Sequence, residues 1–255
     1  MHRFFVSEIQ LAAGQIVELP AETLRHLRTV LRLSAGAECE LLDGVGQVAR
    51  VLILEDFKAQ VFSVRTVPEP KCHLSLIQGL PKGEKLELVL QKGTELGVNW
   101  FLPTPMGRSV GRLKSERAQK RRARWEKIVQ EAARQCGQPY LPKVQIEQSL
   151  DSAIAAVDAD LKLLLWEESA QPLDQILPAE SPQRVAVIVG PEGGITAEEA
   201  QKAEKAGYRA VSLGPRILRT ETAGLAIMTI LQYHYGDLMD DRCSKNAADQ
   251  GKDES

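Results

Sequence analysis

The first part of the chain is a series of short runs in which apolar and polar residues alternate. Such alternation is typical of half-buried strands, and it predicts five of them. They are residues 3–6, 16–19, 38–42, 48–54 and 59–64. Residues 21–31 have apolar side chains at helical spacing, and Asp43-Gly44-Val45-Gly46 predicts a hairpin turn between two strands. Together these elements predict a small β-barrel.

The pattern changes at residues 67–70, Val-Pro-Glu-Pro, because proline lacks an amide proton and interrupts both helices and sheets. This break predicts a domain of residues 1–70 followed by one of residues 71–236. Strands then alternate with helices, which predicts an α/β fold. The predicted strands are residues 73–78, 99–104, 161–166, 184–189 and 209–213, and the predicted helices are 83–96, 115–136, 149–157, 197–206 and 222–235. Residues 237–255 are polar and acidic, and they predict a disordered tail.

Composition excludes several classes of protein. With 44% hydrophobic and 26% charged residues, the 255-residue chain is globular rather than disordered or fibrous. No apolar run approaches the roughly 18 residues of a membrane-spanning helix, and the start lacks an apolar signal core, so we expect a cytoplasmic protein without a membrane partner. The four cysteines, Cys39, Cys72, Cys136 and Cys243, lie far apart and predict free thiols and no metal site.

Local charge departs from the overall balance. The formal net charge is -2, yet residues 108–127 contain nine basic residues and two acidic ones. This segment runs into the predicted helix 115–136, whose apolar residues from Trp125 onward recur at helical spacing. The segment is either a solvated helix surface or a cationic face that binds a polyanion.

A glycine-rich loop follows the predicted buried strand 184–189. Residues 190–194 are Gly-Pro-Glu-Gly-Gly, and Thr196 with Glu199 forms a capping-box pattern that opens the next helix. Ligands of open α/β sheets bind at the carboxyl ends of strands, where glycines allow the main chain to approach them. The loop therefore predicts a binding site, with a merely tight turn as the alternative.

The same arrangement recurs after the predicted strand 209–213, where Gly214 and Pro215 are followed by Arg216, Arg219 and Glu221. We expect two adjacent strands to deliver two glycine-proline loops to one edge of the sheet. Charges in a short, partly buried segment are costly unless they are paired or used. Arg219 and Glu221 are therefore either a structural ion pair or functional residues.

The other motifs in the sequence are weaker evidence of function. Residues 44–49 match the dinucleotide pattern G-x-G-x-x-A, but a strand rather than a helix follows them, which argues against an NAD enzyme. The sequence has no P-loop and no serine or zinc hydrolase motif. The four histidines, His2, His26, His73 and His234, are isolated, and we expect them to be structural.

Several motifs, taken in their order along the chain, resemble those of a known family. They are the two loops at 190–194 and 213–223, with His2-Arg3-Phe4-Phe5, residues 26–32, Lys92-Gly93-Thr94-Glu95-Leu96-Gly97-Val98, Arg108-Ser109 and residues 125–135. Over residues 1–236 the chain resembles the SPOUT methyltransferases of the RsmE family, the 16S ribosomal RNA (uracil-N3)-methyltransferases.

The resemblance implies a PUA-like β-barrel that binds RNA, followed by a SPOUT α/β domain with a C-terminal deep trefoil knot. It implies S-adenosylmethionine as cofactor, a homodimer, no metal, and methylation of N3 of a uridine in the decoding region of 16S rRNA within the 30S subunit. The cofactor-binding residues are then Leu165, Trp166, Glu167, Gly190, Pro191, Glu192, Gly193, Gly194, Leu213, Gly214, Arg216, Ile217, Leu218, Thr222 and Ala223.

Roles for charged residues follow from this interpretation. Arg219 and Glu221 are expected to orient or deprotonate the uracil, with Glu95 as another candidate base. The residues expected to contact RNA are Arg3, Arg28, Arg32, Arg108, Arg112, Lys120 and Arg121. The alternative is a non-catalytic RNA-binding or ribosome-assembly protein, which would not bind S-adenosylmethionine.

Overall fold

A computed structural model describes residues 1–6, 9–110, 115–169 and 171–238, which contain two β-sheets and six α-helices. The predicted tail from residue 239 onward, Cys243 and Arg112 lie outside these residues. None of the helices in the described ranges is both long and apolar enough to cross a membrane. Cys39, Cys72 and Cys136 are free thiols, and burial raises the pKa of Cys39 to about 12.

The first sheet contains all five strands predicted for this part of the chain: β1 (His2–Phe5), β2 (Ile16–Val17), β3 (Glu38–Leu42), β4 (Gln47–Ile53) and β5 (Ala59–Thr66). Their order is β1-β3-β4-β5-β2, with β1 parallel to β3 and the other pairs antiparallel. The two edge strands do not pair in the described chain. The sheet is thus a half-barrel rather than the small β-barrel that was expected.

The predicted hairpin between β3 and β4 is present. Asp43 Oδ1 accepts hydrogen bonds from the amides of Val45 and Gln47, each at 2.8 Å, which fixes the turn. The predicted helix 21–31 is a short α1 (Ala21–Arg25) that continues as one π-helical turn, His26–Val30. This turn places Leu27 in the core of the sheet, where it is fully buried.

The second sheet is entirely parallel and has seven strands. They are β6 (His73–Gly79), β7 (Trp100–Thr104), β8 (Lys143–Val144), β9 (Leu161–Leu165), β10 (Gln171–Pro172), β11 (Arg184–Val189) and β12 (Arg209–Ser212). The short strands β8 and β10, of two residues each, were not predicted. The helices are α2 (Lys85–Glu95), α3 (Ser115–Cys136), α4 (Leu150–Ala156), α5 (Ala197–Lys205) and α6 (Thr220–Tyr235).

Helices cover both faces of this sheet, as its apolar strands require. Alternate residues of β11 point to opposite sides, so that Val187 joins one core and Ile188 the other. Helices α2, α3 and α6 contribute to the first core, and α4 and α5 contribute to the second. The α/β fold predicted from the alternating pattern is therefore confirmed.

The strand order corrects one expectation about the site. The order is β10-β12-β9-β11-β6-β7-β8, so β9 lies between β11 and β12. The two glycine-proline loops do not come from adjacent strands. Because all of these strands are parallel, however, the loops after β11 and β12 still reach the same edge, and the end of β9 lies between them.

The first sheet contacts the C-terminal end of α3 through Arg3. Arg3 Nε donates to Glu40 Oε2 at 2.9 Å, and its Nη1 donates to the carbonyl of Gln135 at 3.4 Å. The side chain of Glu40 is only 8% exposed, and Arg65 lies 3.9 Å away on its other side. Arg3, which was predicted to bind RNA, is therefore engaged in an ion pair with a buried carboxylate, while its own side chain is 33% exposed.

Arg3→Ala is expected to destabilise the fold by about 1–3 kcal/mol, because it leaves the carboxylate of Glu40 with a weaker partner. Arg50→Ala is the matched control, since Arg50 pairs with Glu38 at 3.4 Å where both side chains are about half exposed. Thermal unfolding should show a midpoint lowered by a few degrees for Arg3→Ala and by much less for Arg50→Ala. Equal midpoints would contradict a structural role for Arg3.

Candidate active site

A cavity of about 710 Å³ opens at the carboxyl edge of the second sheet. Its walls are residues 165–168 after β9, residues 189–195 after β11 and residues 211–220 after β12. Lys85, Arg108 and Ala223 complete it from α2, the β7–α3 connection and α6. The parallel sheet has thus brought together three loops that are distant in sequence.

A hydrogen bond connects the Gly190 loop (residues 190–194) to the first residue of α6. Thr220 Oγ1 donates a hydrogen bond to the carbonyl of Gly190 and accepts one from Gln78 Nε2 at 2.9 Å. Gln78 is 1% exposed, and its Oε1 has no hydrogen-bond partner in the described chain. A Cβ on Gly190 would lie 2.7 Å from Ile195, so this close packing needs glycine.

Arg108 fixes the same loop from the other side. Its Nη1 donates to the carbonyl of Gly193 at 3.1 Å, and a Cβ on Gly193 would lie 2.8 Å from Arg108 Cβ. The amide of Gly107 donates to Glu199 Oε1 at 2.7 Å, while Glu199 and Thr196 form the predicted capping box of α5. Helix α5 thereby positions both the Gly190 loop and Arg108.

The Gly214 loop (residues 213–219) leaves main chain open to the cavity. Gly214 has φ +109°, in the region that favours glycine, and a Cβ there would meet no atom within 4 Å. Leu213 and Leu218 line the cavity, and Ile217 is 84% exposed. This loop offers bare backbone flanked by apolar side chains.

A cluster of three charges lies where α2, the Gly190 loop and α6 meet. Lys85 Nζ is 2.9 Å from Glu192 Oε1 and 3.5 Å from Glu221 Oε2, and Glu192 also accepts from the amide of Lys82. The hydrogen bond that Lys85 donates to Glu192 raises the pKa of the Lys85 ammonium. Burial acts to raise the pKa of Glu192, but the hydrogen bonds from Lys85 and from main-chain amides outweigh it and lower that pKa.

The cavity combines charges of both signs with apolar surface. Four cations and three carboxylates line it, and the apolar side chains include Leu165, Trp166 and Ile195. The cations are Lys85, Arg108, Arg216 and Arg219, and the carboxylates are Glu167, Glu168 and Glu192. Within the described ranges no cluster of three or more His, Cys, Asp or Glu residues could hold a metal ion. The walls suit a ligand with an apolar ring system and charged ends.

Comparison with known proteins identifies the family. The model of the RNA methyltransferase domain matches residues 68–232, and that of the RNA methyltransferase PUA domain matches residues 19–58. The chain is 32% identical over 252 residues to ribosomal RNA small subunit methyltransferase E of Bacillus subtilis, covering 91% of this chain and 96% of the relative. The chain belongs to the ribosomal RNA small subunit methyltransferase E family.

Solved structures agree with this assignment. A ribosomal RNA small subunit methyltransferase E from Neisseria gonorrhoeae, bound to S-adenosyl methionine, is 36% identical with a TM-score of 0.84, covering 93% of this chain and 99% of that one. A methyltransferase from Legionella pneumophila in complex with the same cofactor is 32% identical, also with a TM-score of 0.84, covering 92% and 98%. Both neighbours share the fold of this methyltransferase E family member over almost its whole length.

Most of the residues predicted to hold a cofactor line the cavity. Of those named from the sequence, Thr222 alone is not among the lining residues; it lies exposed on the first turn of α6. Arg219 lines the cavity, while Glu221 lies beside it, 3.5 Å from Lys85. The described ion pairs include none between Arg219 and Glu221, so the structural pair considered from the sequence is not formed.

Glu95 is not brought to this cavity. It lies at the C-terminal end of α2, where it pairs with Lys92 at 2.8 Å. A helix rises about 1.5 Å per residue, so Glu95 is about 15 Å along α2 from Lys85. In this methyltransferase E family member Glu221, and not Glu95, therefore lies beside the cavity, through its contact with Lys85.

The predicted RNA-contacting residues divide into separate groups. Lys120 and Arg121 are exposed on α3, and Arg28 and Arg32 are exposed beside the first sheet. The guanidinium of Arg28 lies 4.3 Å from the ring centre of Phe57. Arg108 is exposed and also lines the cavity, Arg3 is paired with Glu40, and Arg112 lies outside the described residues.

Sequence reasoning missed Gln78, Lys85 and Thr220. Gln78 occupies the carboxyl end of β6, so the strand-end rule that identified the two loops applies to it as well. Thr220 begins α6 directly after Arg219 and could have been included with that loop. Lys85 gave no such signal, because its approach to the cavity depends on how α2 packs beside α6.

Proposed function

We propose that this protein transfers a methyl group from S-adenosylmethionine to N3 of a uridine in 16S rRNA of the small ribosomal subunit. The observation that carries the proposal is the cavity, whose Gly190 and Gly214 loops lie in the fold of a family with cofactor-bound members. A chain acting on ribosomal subunits would work in the cytoplasm.

The residues present fit S-adenosylmethionine. Open backbone at Gly214, with Leu165, Leu213 and Leu218 around it, suits a flat adenine ring held by main-chain amides and carbonyls. Charges of both signs at the rim suit the ammonium and carboxylate of the amino-acid portion. When bound, the sulfonium supplies an electrophilic methyl group and requires no metal.

Residues at the start of α6 would act on the uracil. Arg219 precedes the helix and faces the cavity, so it can orient a base inserted there. Glu221 in the first turn, beside the cavity, would accept the proton from N3. The uridine must leave its stack to enter, which is the usual requirement for chemistry on a base. Lys120 and Arg121 on α3 would neutralise phosphates of the same RNA.

The C-terminal part of the chain supports the proposal of a trefoil knot. Strand β12 lies between β9 and β10, yet β9 and β10 are joined directly by residues 166–170. In the knot that we propose, the connection from β9 to β11 passes around β12, and the chain that ends in α6 passes inside it. Helix α6 then packs against the core beside α2, where Tyr235 OH donates to the carbonyl of Pro178 at 2.7 Å. We propose the SPOUT domain of residues 71–236 on this basis, with residues 1–70 as the PUA-like RNA-binding domain.

Mass mapping of rRNA tests the activity. The 16S rRNA of cells that lack the protein should lose one methyl group, located on N3 of a uridine, and expression of the wild-type chain should restore it. The same purified chain should bind S-adenosylmethionine in a calorimetric titration. Identical rRNA masses with and without the protein would overturn the proposal and favour a non-catalytic RNA-binding role.

A homodimer is expected. Helix α6 carries Leu225, Ile230 and Tyr233 outside its fully buried stripe, and Ile217 at the cavity rim is highly exposed. A second copy of the chain would cover such apolar surface. Light scattering at micromolar concentration should give twice the 28.1 kDa mass of the chain, whereas a monomer mass would contradict the dimer.

A further inference from the structure

Lys85 is a cavity cation that contacts two carboxylates, and the interpretation of the sequence gave it no role. Arg216 and Arg219 lie in an exposed loop, and Arg108 is hydrogen-bonded to the carbonyl of Gly193. Lys85 instead projects from the first turn of α2 and is held by carboxylates from two other elements, Glu192 and Glu221. Groups that are supported by a helix are positioned more precisely than groups on loops.

The ammonium of Lys85 has capacity left for a ligand. It carries three N–H donors, of which Glu192 takes one at 2.9 Å. Glu221 Oε2 lies at 3.5 Å, close enough for charge attraction but beyond an ordinary hydrogen bond, and this oxygen has no hydrogen-bond partner in the described chain. The side chain of Lys85 is 35% exposed and lines the cavity.

The charges around Lys85 keep it protonated. Glu192 from the Gly190 loop and Glu221 from α6 are the groups whose charges act on it. Glu84 and Glu87, from the start of α2, are instead paired with Arg124 of α3. A permanent positive charge therefore lies between the two elements to which the cofactor and the uracil have been assigned.

Methylation at N3 creates a need for such a charge. Loss of the N3 proton leaves a negative charge shared between N3 and the two carbonyl oxygens beside it. A fixed cation at one of these oxygens stabilises that charge as it develops, and such preorganised groups are worth most in a closed cavity. The cation must not be the group that takes the proton, which fits a protonated lysine beside a free carboxylate oxygen.

We propose that Lys85 is a catalytic residue that binds a carbonyl oxygen of the target uracil and stabilises the uracil anion; the proposal rests on the function proposed above. The N3–H bond breaks and its proton passes to Glu221. The electron pair on N3 forms the bond to the methyl carbon, while the carbon–sulfur bond breaks and its pair returns to sulfur. A methylated uracil, a protonated Glu221 and a neutral thioether result, so atoms and charge balance.

Lys85→Met tests this role against a structural one. The single-turnover methylation rate at saturating cofactor and RNA should fall about 100-fold or more, the usual effect of removing one such donor. The calorimetric dissociation constant for S-adenosylmethionine should stay close to the wild-type value. Lys85→Arg, which keeps the charge, should recover part of the rate, and raising the pH should partly restore Lys85→Met by ionising the uracil without help.

Lys92→Met is the matched control. Lys92 lies on the same helix and also pairs with a carboxylate, Glu95 at 2.8 Å, but it is not a lining residue of the cavity. The Lys92→Met variant should methylate RNA at the wild-type rate. A wild-type rate for Lys85→Met, or a loss that higher cofactor concentrations abolish, would overturn the proposal and leave Lys85 as a tie between α2 and the Gly190 loop. Failure of the wild-type protein to methylate uridine would instead overturn the proposed function itself.

Discussion

Gly214→Val is expected to abolish binding of S-adenosylmethionine while the chain remains folded. The glycine lines the cavity, and a side chain there would enter space that no protein atom occupies within 4 Å. A branched side chain would thus occupy the place proposed for the adenosine. The residue also has φ +109°, so valine adds backbone strain of about 1–2 kcal/mol. The measurement is calorimetric titration of the cofactor together with thermal unfolding.

Gly36→Val provides the matched control for the strain. Gly36 has φ +86° and open space around its Cβ position, but it lies in the turn before β3 and is not a lining residue of the cavity. Both variants should unfold a few degrees below the wild type, and only Gly214→Val should lose the cofactor. Normal binding by Gly214→Val would refute the placement of the cofactor. Gly193→Val is a poorer test, because its Cβ would first collide with Arg108.

Arg219→Ala is expected to lower the rate of methylation without any recovery at saturating RNA. Arg219 faces the cavity just before α6, and in the described chain it forms no ion pair with Glu221 that would give it a structural role. An interaction that is made with the base in the transition state cannot be replaced by a higher substrate concentration. Single-turnover methylation at saturating cofactor and RNA measures this directly.

The double variant Lys120→Ala with Arg121→Ala is the comparison for Arg219. Both side chains are exposed on α3, so their removal should weaken RNA binding and leave cofactor binding unchanged. The slope of log affinity against log salt concentration should flatten by about 0.7–0.9 for each phosphate that the protein no longer neutralises. The double variant should regain its rate at saturating RNA. If instead Arg219→Ala recovers and the double variant does not, the catalytic and binding roles have been assigned the wrong way round.

The fold could be predicted from the sequence to the extent that its elements are periodic. The helix 115–136 was predicted with the bounds that it has, because its apolar side chains recur at helical spacing from Trp125 to Cys136, over about three turns, and the charged residues before them continue the helix. Strand β11 was likewise found, as an apolar run between polar residues and a glycine loop. Strand order is a property of pairing between distant segments, which no local pattern encodes, and so the position of β9 between β11 and β12 was missed.

The parts of the site that could be predicted from the sequence are the two loops that glycine residues mark. Glycines mark the Gly190 and Gly214 loops, since each loop needs a conformation or a close approach that other residues resist. Charged side chains give no comparable signal. The pairing of Arg3 with Glu40 was not foreseen, and Lys85 was overlooked although two carboxylates contact it. Partners of this kind are fixed only when distant elements pack together.

The position of α6 has a consequence for how the protein is made. Synthesis proceeds from the N-terminus at about 5–20 residues per second, and domains fold as they emerge. The first sheet can therefore form early, whereas the Gly214 loop and Thr220, which bonds the carbonyl of Gly190, belong to the part of the described chain that is made last. A nascent chain thus has the first sheet, which is proposed to bind RNA, before it has a complete cofactor cavity. Competence to bind the cofactor has to wait for the last part of the described chain.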